Sequence, residues 1–330
     1  MIRIAMLGAG RIGKIHARNI AANPRCRLVA IADPAADAAG ELATALGAEA
    51  STDPQGTLAR ADIDAVVIGT PTDTHVDLLL RAARRGKAVL CEKPVDLDIR
   101  KVDSAAAEVG KLGGRVMVAF NRRFDPSAAA LRRAIQAGEI GEVHQVVITS
   151  RDPGPPPMAY IASSGGIFRD MTIHDFDMAR WLLGEEPVEV SAMASCLVDP
   201  AIGRAGDYDT LMVILRTESG RQCHINNCRQ AAYGYDQRFE VFGSAGMLLN
   251  DNLRPSTLRR YDAAATEVQE PLLNFFLERY AEAYRLELDA FAAALETGGP
   301  MPVTVADGRQ ALRLADAALE AATSGRSVRA

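Results

Sequence analysis

The chain lacks most of what marks a membrane, secreted, metal-bound or nucleic-acid-bound protein. No stretch approaches the roughly 18 consecutive apolar residues of a membrane span. The opening MIRIAMLGAGRIG runs straight into a strand pattern, with no charged leader, apolar segment and cleavage site in sequence. Cysteine is scarce: Cys26, Cys91, Cys196, Cys223 and Cys228 are scattered, odd in number and form no C-x-x-C pair, as suits a reducing cytoplasm. Positive charge is not in excess, since 37 Lys and Arg face 42 Asp and Glu for a net charge of −5, which argues against a nucleic-acid partner. The one basic cluster, RAARRGK at 81–87, closes a helix pattern, where cations are favoured anyway. Only five histidines are present, and His16, His75, His144 and His224 lie in segments unrelated to His174. Zinc wants three or four converging ligands, so no metal is expected.

What remains is an ordinary globular composition in 330 residues, long enough that two domains are the default. In the first third, apolar runs at 2–8, 27–33, 64–70, 87–93 and 115–121 alternate with Ala-rich helical segments near 11–22, 35–46, 73–85 and 98–112. The runs are continuous, as in strands buried on both faces, so the rhythm predicts an α/β, doubly wound parallel sheet over 1–121. From 122 to 330 the texture changes. A helix near 126–137, strand-like runs at 142–151, 187–198, 208–217, 221–230, 236–243 and 256–262, and helices near 274–297 and 306–323 predict an α+β domain with an antiparallel sheet. The pattern of TLMVILRT suggests that both faces of that sheet are covered, one of them by another subunit.

LGAGRIG sets Gly8, Gly10 and Gly13 in the spacing G-x-G-x-x-G between the first strand and first helix, with Arg11 and Ile12 between the glycines. That arrangement permits a tight turn, close approach of a pyrophosphate and tight helix–strand packing. Asp33 ends the second strand, where a carboxylate accepts from ribose hydroxyls and repels a 2′-phosphate, so NAD is expected over NADP. GTPTDTH places Thr70 and Pro71 at the same carboxyl edge as a wall for the cofactor, with Thr72 or Asp73 able to cap the next helix. His75 reads equally as a ligand contact or as a first-turn helix residue. CEKP at 91–94 delivers Lys93 to that edge, because Pro94 cannot extend the ladder.

GGIFRDMTIHDFDMARWLLG at 165–184 raises a different question. Its period is helical, with Ile173, Phe176 and Leu183 on one side, yet Asp170, His174 and Asp177 fall at i, i+4 and i+7 on another. A plain solvated face is the alternative for that stripe. Trp181, Met171 and Met178 border it and read as packing.

Together, GAGRIGKIHA, GTPTDTH, CEKPV and Asp170…His174 resemble the Gfo/Idh/MocA oxidoreductases, and the likeness continues through YGYDQRFEVFGSAG and the C-terminal DGRQALRLADAALEAATSGRSV. Within the family it is strongest to members that act on inositol. The resemblance implies a Rossmann domain joined to a domain with a large open antiparallel sheet, through which members assemble as dimers or tetramers. It implies catalytic roles for Lys93, Asp170 and His174, a cofactor role for Glu92, and substrate contacts from Arg123, Asp177, Tyr233 or Tyr235, and Tyr284. Asn121 departs from the tyrosine or histidine of some relatives.

These residues suit oxidation of a secondary alcohol. His174 titrates near neutral pH and is the expected general base. Lys93 would hold the reacting hydroxyl and stabilise alkoxide character. Asp170 would bind Lys93 or the substrate and favour the imidazolium, and Asp177 would bind a neighbouring hydroxyl. The expected reaction is NAD-dependent oxidation of a cyclic polyol, myo-inositol at C2 giving 2-keto-inositol, ahead of scyllo-inositol or a pyranose. A glycosidase that oxidises transiently and a non-catalytic NAD-binding protein are the rivals.

Overall fold

The computed structural model describes all 330 residues. They form two compact units, Met1–Phe124 with Ala283–Leu312, and Asp125–Glu282 with Arg313–Ala330.

In the first unit, β1 (Ile2–Leu7), β2 (Cys26–Ala32), β3 (Glu49–Ser51), β4 (Ala65–Ile68), β5 (Ala88–Glu92) and β6 (Val116–Ala119) pair in parallel in the order β3-β2-β1-β4-β5-β6. The connecting helices are α1 (Arg11–Ala22), α2 (Ala36–Leu46), α3 (Pro54–Ala59), α4 (His75–Ala83) and α5 (Ile99–Leu112). This is the doubly wound order, and its direction of growth reverses between β1 and β4, where ligands bind beyond the carboxyl ends of strands. Every residue of β4, β5 and β6 is buried, which explains their unbroken apolar runs. The sequence pattern suggests one break after residue 121, whereas packing divides the chain after 124, 282 and 312. Residues 283–312 are tied to the first unit by backbone and side chain. Val118 N–H donates to the Val303 carbonyl at 3.1 Å, and Arg115 Nη2 donates to the carbonyls of Ala294 and Gly299 at 2.6 and 2.8 Å.

The second unit begins with α6 (Pro126–Gln136), β7 (Val143–Arg151), α7 (Met158–Ile161), α8 (Gly166–Asp170) and α9 (Thr172–Leu183). It continues with β8 (Pro187–Ser195), α10 (Pro200–Arg204), β9 (Thr210–Thr217), β10 (Gln222–Cys228), β11 (Asp236–Gly243) and β12 (Gly246–Asn250). After these come β13 (Arg259–Arg260), β14 (Val268–Gln269), α11 (Phe276–Arg279), α12 (Ala281–Thr297), α13 (Val305–Ser324) and β15 (Val328–Arg329). Seven strands form one sheet in the order β12-β11-β7-β10-β9-β8-β15, antiparallel except for the β7–β10 pair. α9 packs on β7 and β10 over one face.

β9 alternates, with Leu211, Val213 and Leu215 buried and Met212 and Ile214 exposed, so one sheet face is covered within the chain and the other is open. Two expectations change. The run at 256–262 yields only the two-residue β13, because its side chains are all exposed and nothing pairs them beyond β14. The helix expected at 274–297 breaks at Tyr280, whose ring is buried against Tyr235 at 6.0 Å. No helix is long and apolar enough to cross a membrane.

Candidate functional site

In the first unit the site is made largely of main chain. Gly8 has φ +99, and a Cβ there would stand 2.6 Å from the Gly69 carbonyl oxygen. A Cβ on Gly13 would stand 2.0 Å from the Gly8 carbonyl oxygen, so neither position accepts a side chain. Gly10, by contrast, opens onto empty space and caps α1 without a side-chain hydrogen bond. The leading N–H groups of α1 are therefore offered to an anion over a side-chain-free floor, which fits a pyrophosphate. Asp33 is fixed by two backbone donors, Ala9 N–H on Oδ2 at 2.7 Å and Ala35 N–H on Oδ1 at 2.8 Å. Each oxygen keeps a further lone pair for a ribose hydroxyl.

The β4 and β5 loops are stitched together beside this turn. Thr70 and Thr74 hydroxyls lie 2.6 Å apart, and Thr74 Oγ1 donates to the Pro71 carbonyl at 2.7 Å. Neither Thr72 nor Asp73 caps α4: both lie in a 3-10 turn, Thr72–Thr74, and the N-cap is Thr74, whose hydroxyl is spent on that turn. His75 is 1% exposed, with Nδ1 2.9 Å from the Pro94 carbonyl oxygen and Nε2 2.8 Å from that of Thr70. It thus fastens one loop to the other. Glu92 is buried, its Oε1 2.8 Å from His16 Nε2 and its Oε2 accepting from Lys93 N–H at 3.3 Å. The carboxylate turns back under the strand end and anchors the main chain of Lys93. Arg123 donates to Asp307 at 2.9 Å; burial alone would push that carboxyl up, but Arg123 and Thr304 together hold it below the ordinary range. Tyr284, on α12, sits edge-on to His16 with ring centroids 5.6 Å apart.

The second unit uses side chains instead. Its key helix is not continuous. Met171 separates α8 from α9, so Asp170 ends one helix and His174 lies in the first turn of the next, with His174 N–H donating to the Met171 carbonyl at 3.3 Å. The single stripe expected for Asp170, His174 and Asp177 is therefore corrected to a carboxylate at a helix end and an imidazole just past a break. Nor is the stripe a solvated face. Asp175, Asp177 and Arg180 are all buried, and of the titratable residues in α9 only His174 keeps partial exposure. Asp175 accepts from Asn227 Nδ2 at 2.9 Å, and Asp177 lies 3.7 Å from Arg180, which also grips Glu186. Ile173, Phe176 and Leu183 are fully buried, as the periodicity predicts.

Asp170 receives the Tyr160 hydroxyl on Oδ1 at 2.8 Å, and its Oδ2 lies 3.7 Å from Arg229 Nη1. Tyr233 donates to Asp236 at 2.6 Å and accepts from Arg151 at 2.8 Å, while Tyr235 is buried against Phe275 and Tyr280. Burial followed by the Asp236 contact pushes the Tyr233 phenol up. Tyr160, Asp207, Arg229, His16 and Glu287 join these networks with no local spacing in the sequence that marks them. Glu287, on α12, is fully buried, and burial reinforced by the Glu92 carboxylate pushes it well above the ordinary carboxyl range. No group of three or more His, Cys, Asp or Glu side chains converges as a metal site.

Comparison with known proteins extends this geometry. Residues 2–120 match the oxidoreductase family with an NAD-binding Rossmann fold, and residues 128–249 match the GFO/IDH/MocA C-terminal domain. An inositol 2-dehydrogenase of Rhizobium meliloti (strain 1021) is 53% identical over 99% of this chain and 98% of its own. The crystal structure of a myo-inositol dehydrogenase from Corynebacterium glutamicum superposes with a TM-score of 0.96 at 52% identity, covering 100% of this chain and 98% of the other. A scyllo-inositol dehydrogenase from Lactobacillus casei, solved with bound NAD(H) and scyllo-inositol, gives 0.92 at 30% identity, covering 100% and 99%.

Proposed function

Because this chain belongs to the Gfo/Idh/MocA family of NAD-binding oxidoreductases, we propose that it oxidises myo-inositol at C2 to 2-keto-myo-inositol, with NAD as its cofactor. Bound NAD supplies the hydride acceptor. Gly8, Gly10 and Gly13 with the α1 amides would hold its pyrophosphate, and Asp33 its adenosine ribose. His174 takes the hydroxyl proton. Lys93 holds the reacting oxygen and stabilises the negative charge that develops there. Asp170 favours the imidazolium that forms on His174, and Arg123, Asp177, Tyr233, Tyr235 and Tyr284 are the proposed contacts or supports for the remaining hydroxyls.

One observation carries the reading: His174 is the one titratable group of α9 that is not buried, in a helix that buries two carboxylates and an arginine. A base must exchange protons with its substrate, and the other three are committed to internal partners. The test is a panel of myo-, scyllo- and chiro-inositol and aldoses, each with NAD or NADP, read by NADH or NADPH absorbance. Turnover of myo-inositol with NAD supports the proposal. Turnover of scyllo-inositol or an aldose alone reassigns the substrate, and release of an aglycone from a glycoside without net NADH reassigns the reaction.

We also propose that copies of the chain assemble through the open sheet face. Met193, Met212, Ile214, Phe242, Met247 and Leu249 are all more than 45% exposed there, an apolar array that water disfavours. Light scattering of a Met212→Glu, Ile214→Glu variant reads it, with a fall in mass as the expected result.

A further inference from the structure

α8 has five residues, too few to stand as an isolated helix. It also starts from two left-handed glycines, Gly165 at φ +86 and Gly166 at φ +83. Both of its ends are attached to one buried assembly. At the start, Ile167 N–H donates to Asp207 Oδ1 at 2.8 Å. A Cβ on Gly166 would stand 2.8 Å from that same oxygen, so glycine is what admits the carboxylate. The other oxygen of Asp207 accepts from Arg229 Nη2 at 3.2 Å. At the end of the helix, Arg229 Nη1 lies 3.7 Å from Asp170 Oδ2.

Arg229 is 1% exposed, the largest side chain so deeply buried, and its Nε has no hydrogen-bond acceptor. A buried guanidinium is costly to desolvate, and two carboxylates offset that cost only while both stay close. Its main chain follows β10 directly, with Arg229 N–H on the Asp209 carbonyl at 2.8 Å, so the cation is carried by the sheet. Tyr160, which donates to the other oxygen of Asp170, is half exposed and comes from the four-residue α7.

We propose that Arg229, braced by Asp207, is the positioning residue for Asp170, transmitting the fixed frame of the sheet to the carboxylate at the end of α8. The inference rests on the catalytic reading of Asp170 given above. It requires that Arg229 act through Asp170 and through nothing else in the reaction.

The test uses the full-length protein with Asp170→Asn, Arg229→Met, Arg229→Lys and Asp207→Asn, measuring kcat, KM for the inositol, NADH affinity by fluorescence, and thermal unfolding. Misplacing a catalytic group by about 1 Å costs on the order of 100-fold in rate, so Arg229→Met should lower kcat by about that factor. KM and NADH affinity should stay within about threefold, and Arg229→Lys should recover to within about tenfold of wild type. In the Asp170→Asn background, Arg229→Met should add less than about threefold, since residues acting as one unit are not additive. A full multiplicative loss there overturns the proposal, and so does an Arg229→Met enzyme with normal kcat. If Asp170→Asn leaves no measurable rate, the lysine variant decides, and one as inactive as the methionine variant counts against. If Arg229→Met does not fold, Asp207→Asn decides: a kcat loss of about tenfold at unchanged NADH affinity supports the brace, and normal kcat overturns it. Full activity in Asp170→Asn defeats the functional reading itself, a result separable from all of these.

Discussion

The two units build their candidate sites from different materials. The nucleotide-binding unit presents backbone: an uncapped helix start, glycines too crowded for a Cβ, and a carboxylate pinned by two amides. The second unit presents side chains, several of them held by a buried partner, as with Asp175 on Asn227 and Asp170 beside Arg229. Main-chain sites tolerate changes of side chain that leave the turn intact, whereas side-chain sites depend on each member of a network. The difference decides where each half is vulnerable.

The largest expected effect strikes the side-chain half. His174→Ala should reduce kcat by about 10³-fold with NADH affinity unchanged, because the proposed general base is lost and nothing in the nucleotide turn is touched. Steady-state kinetics beside fluorescence titration reads both. Next comes the buried ion pair of that unit. Arg279 and Asp125 are 1% and 3% exposed in their side chains and meet at 2.5 Å. Arg279→Met leaves a carboxylate buried without its cation and should destabilise the fold by about 3 kcal/mol, measured by chemical denaturation. The backbone half is broken by Gly13→Val, whose Cβ cannot coexist with the Gly8 carbonyl. NADH affinity should fall roughly 100-fold, about 2.7 kcal/mol, while the second unit keeps its fold.

The smallest effect sharpens the contrast, since Glu287 is a side-chain liability inside the backbone-built unit. Its folded pKa is raised, so below the unfolded value of about 4.3 the group is protonated in both states and contributes nothing. As pH rises past that value the unfolded chain releases a proton that the folded one retains, and stability falls. Glu287→Gln removes this penalty. The variant should gain stability over wild type, with a gain that grows as pH is raised from about 4.3. Thermal unfolding across pH checks the sign.

The same contrast governs what could be read without coordinates. Gly8, Gly10 and Gly13 are demanded by contacts a few residues away, so their spacing carries their purpose. The continuous runs of β4 to β6 likewise follow from burial on both faces. The break at Met171 was hidden because the apolar period runs through it undisturbed: Ile167, Phe168, Met171 and Ile173 are all buried on both sides of it. Asp207 and Arg229 come from separate segments and meet Asp170 only through the fold, so no local spacing reveals them. Glu287 stands among Glu282, Arg285 and Asp289, where one carboxylate reads like the next. Nor does the amphipathic pattern of α12 say which unit its apolar face will join.

The placement of residues 283–312 reaches into how the protein is made. Strand β6 and the Arg115 guanidinium find their partners at Ala294, Gly299 and Val303, late in the chain. A nascent polypeptide therefore carries an unfinished nucleotide-binding unit until residue 303 has been added, with the Val118 amide still waiting for its acceptor. Domains that fold in order from the N-terminus are the usual course during translation. Here the first unit to emerge completes these contacts only once residues 294–303 have been made.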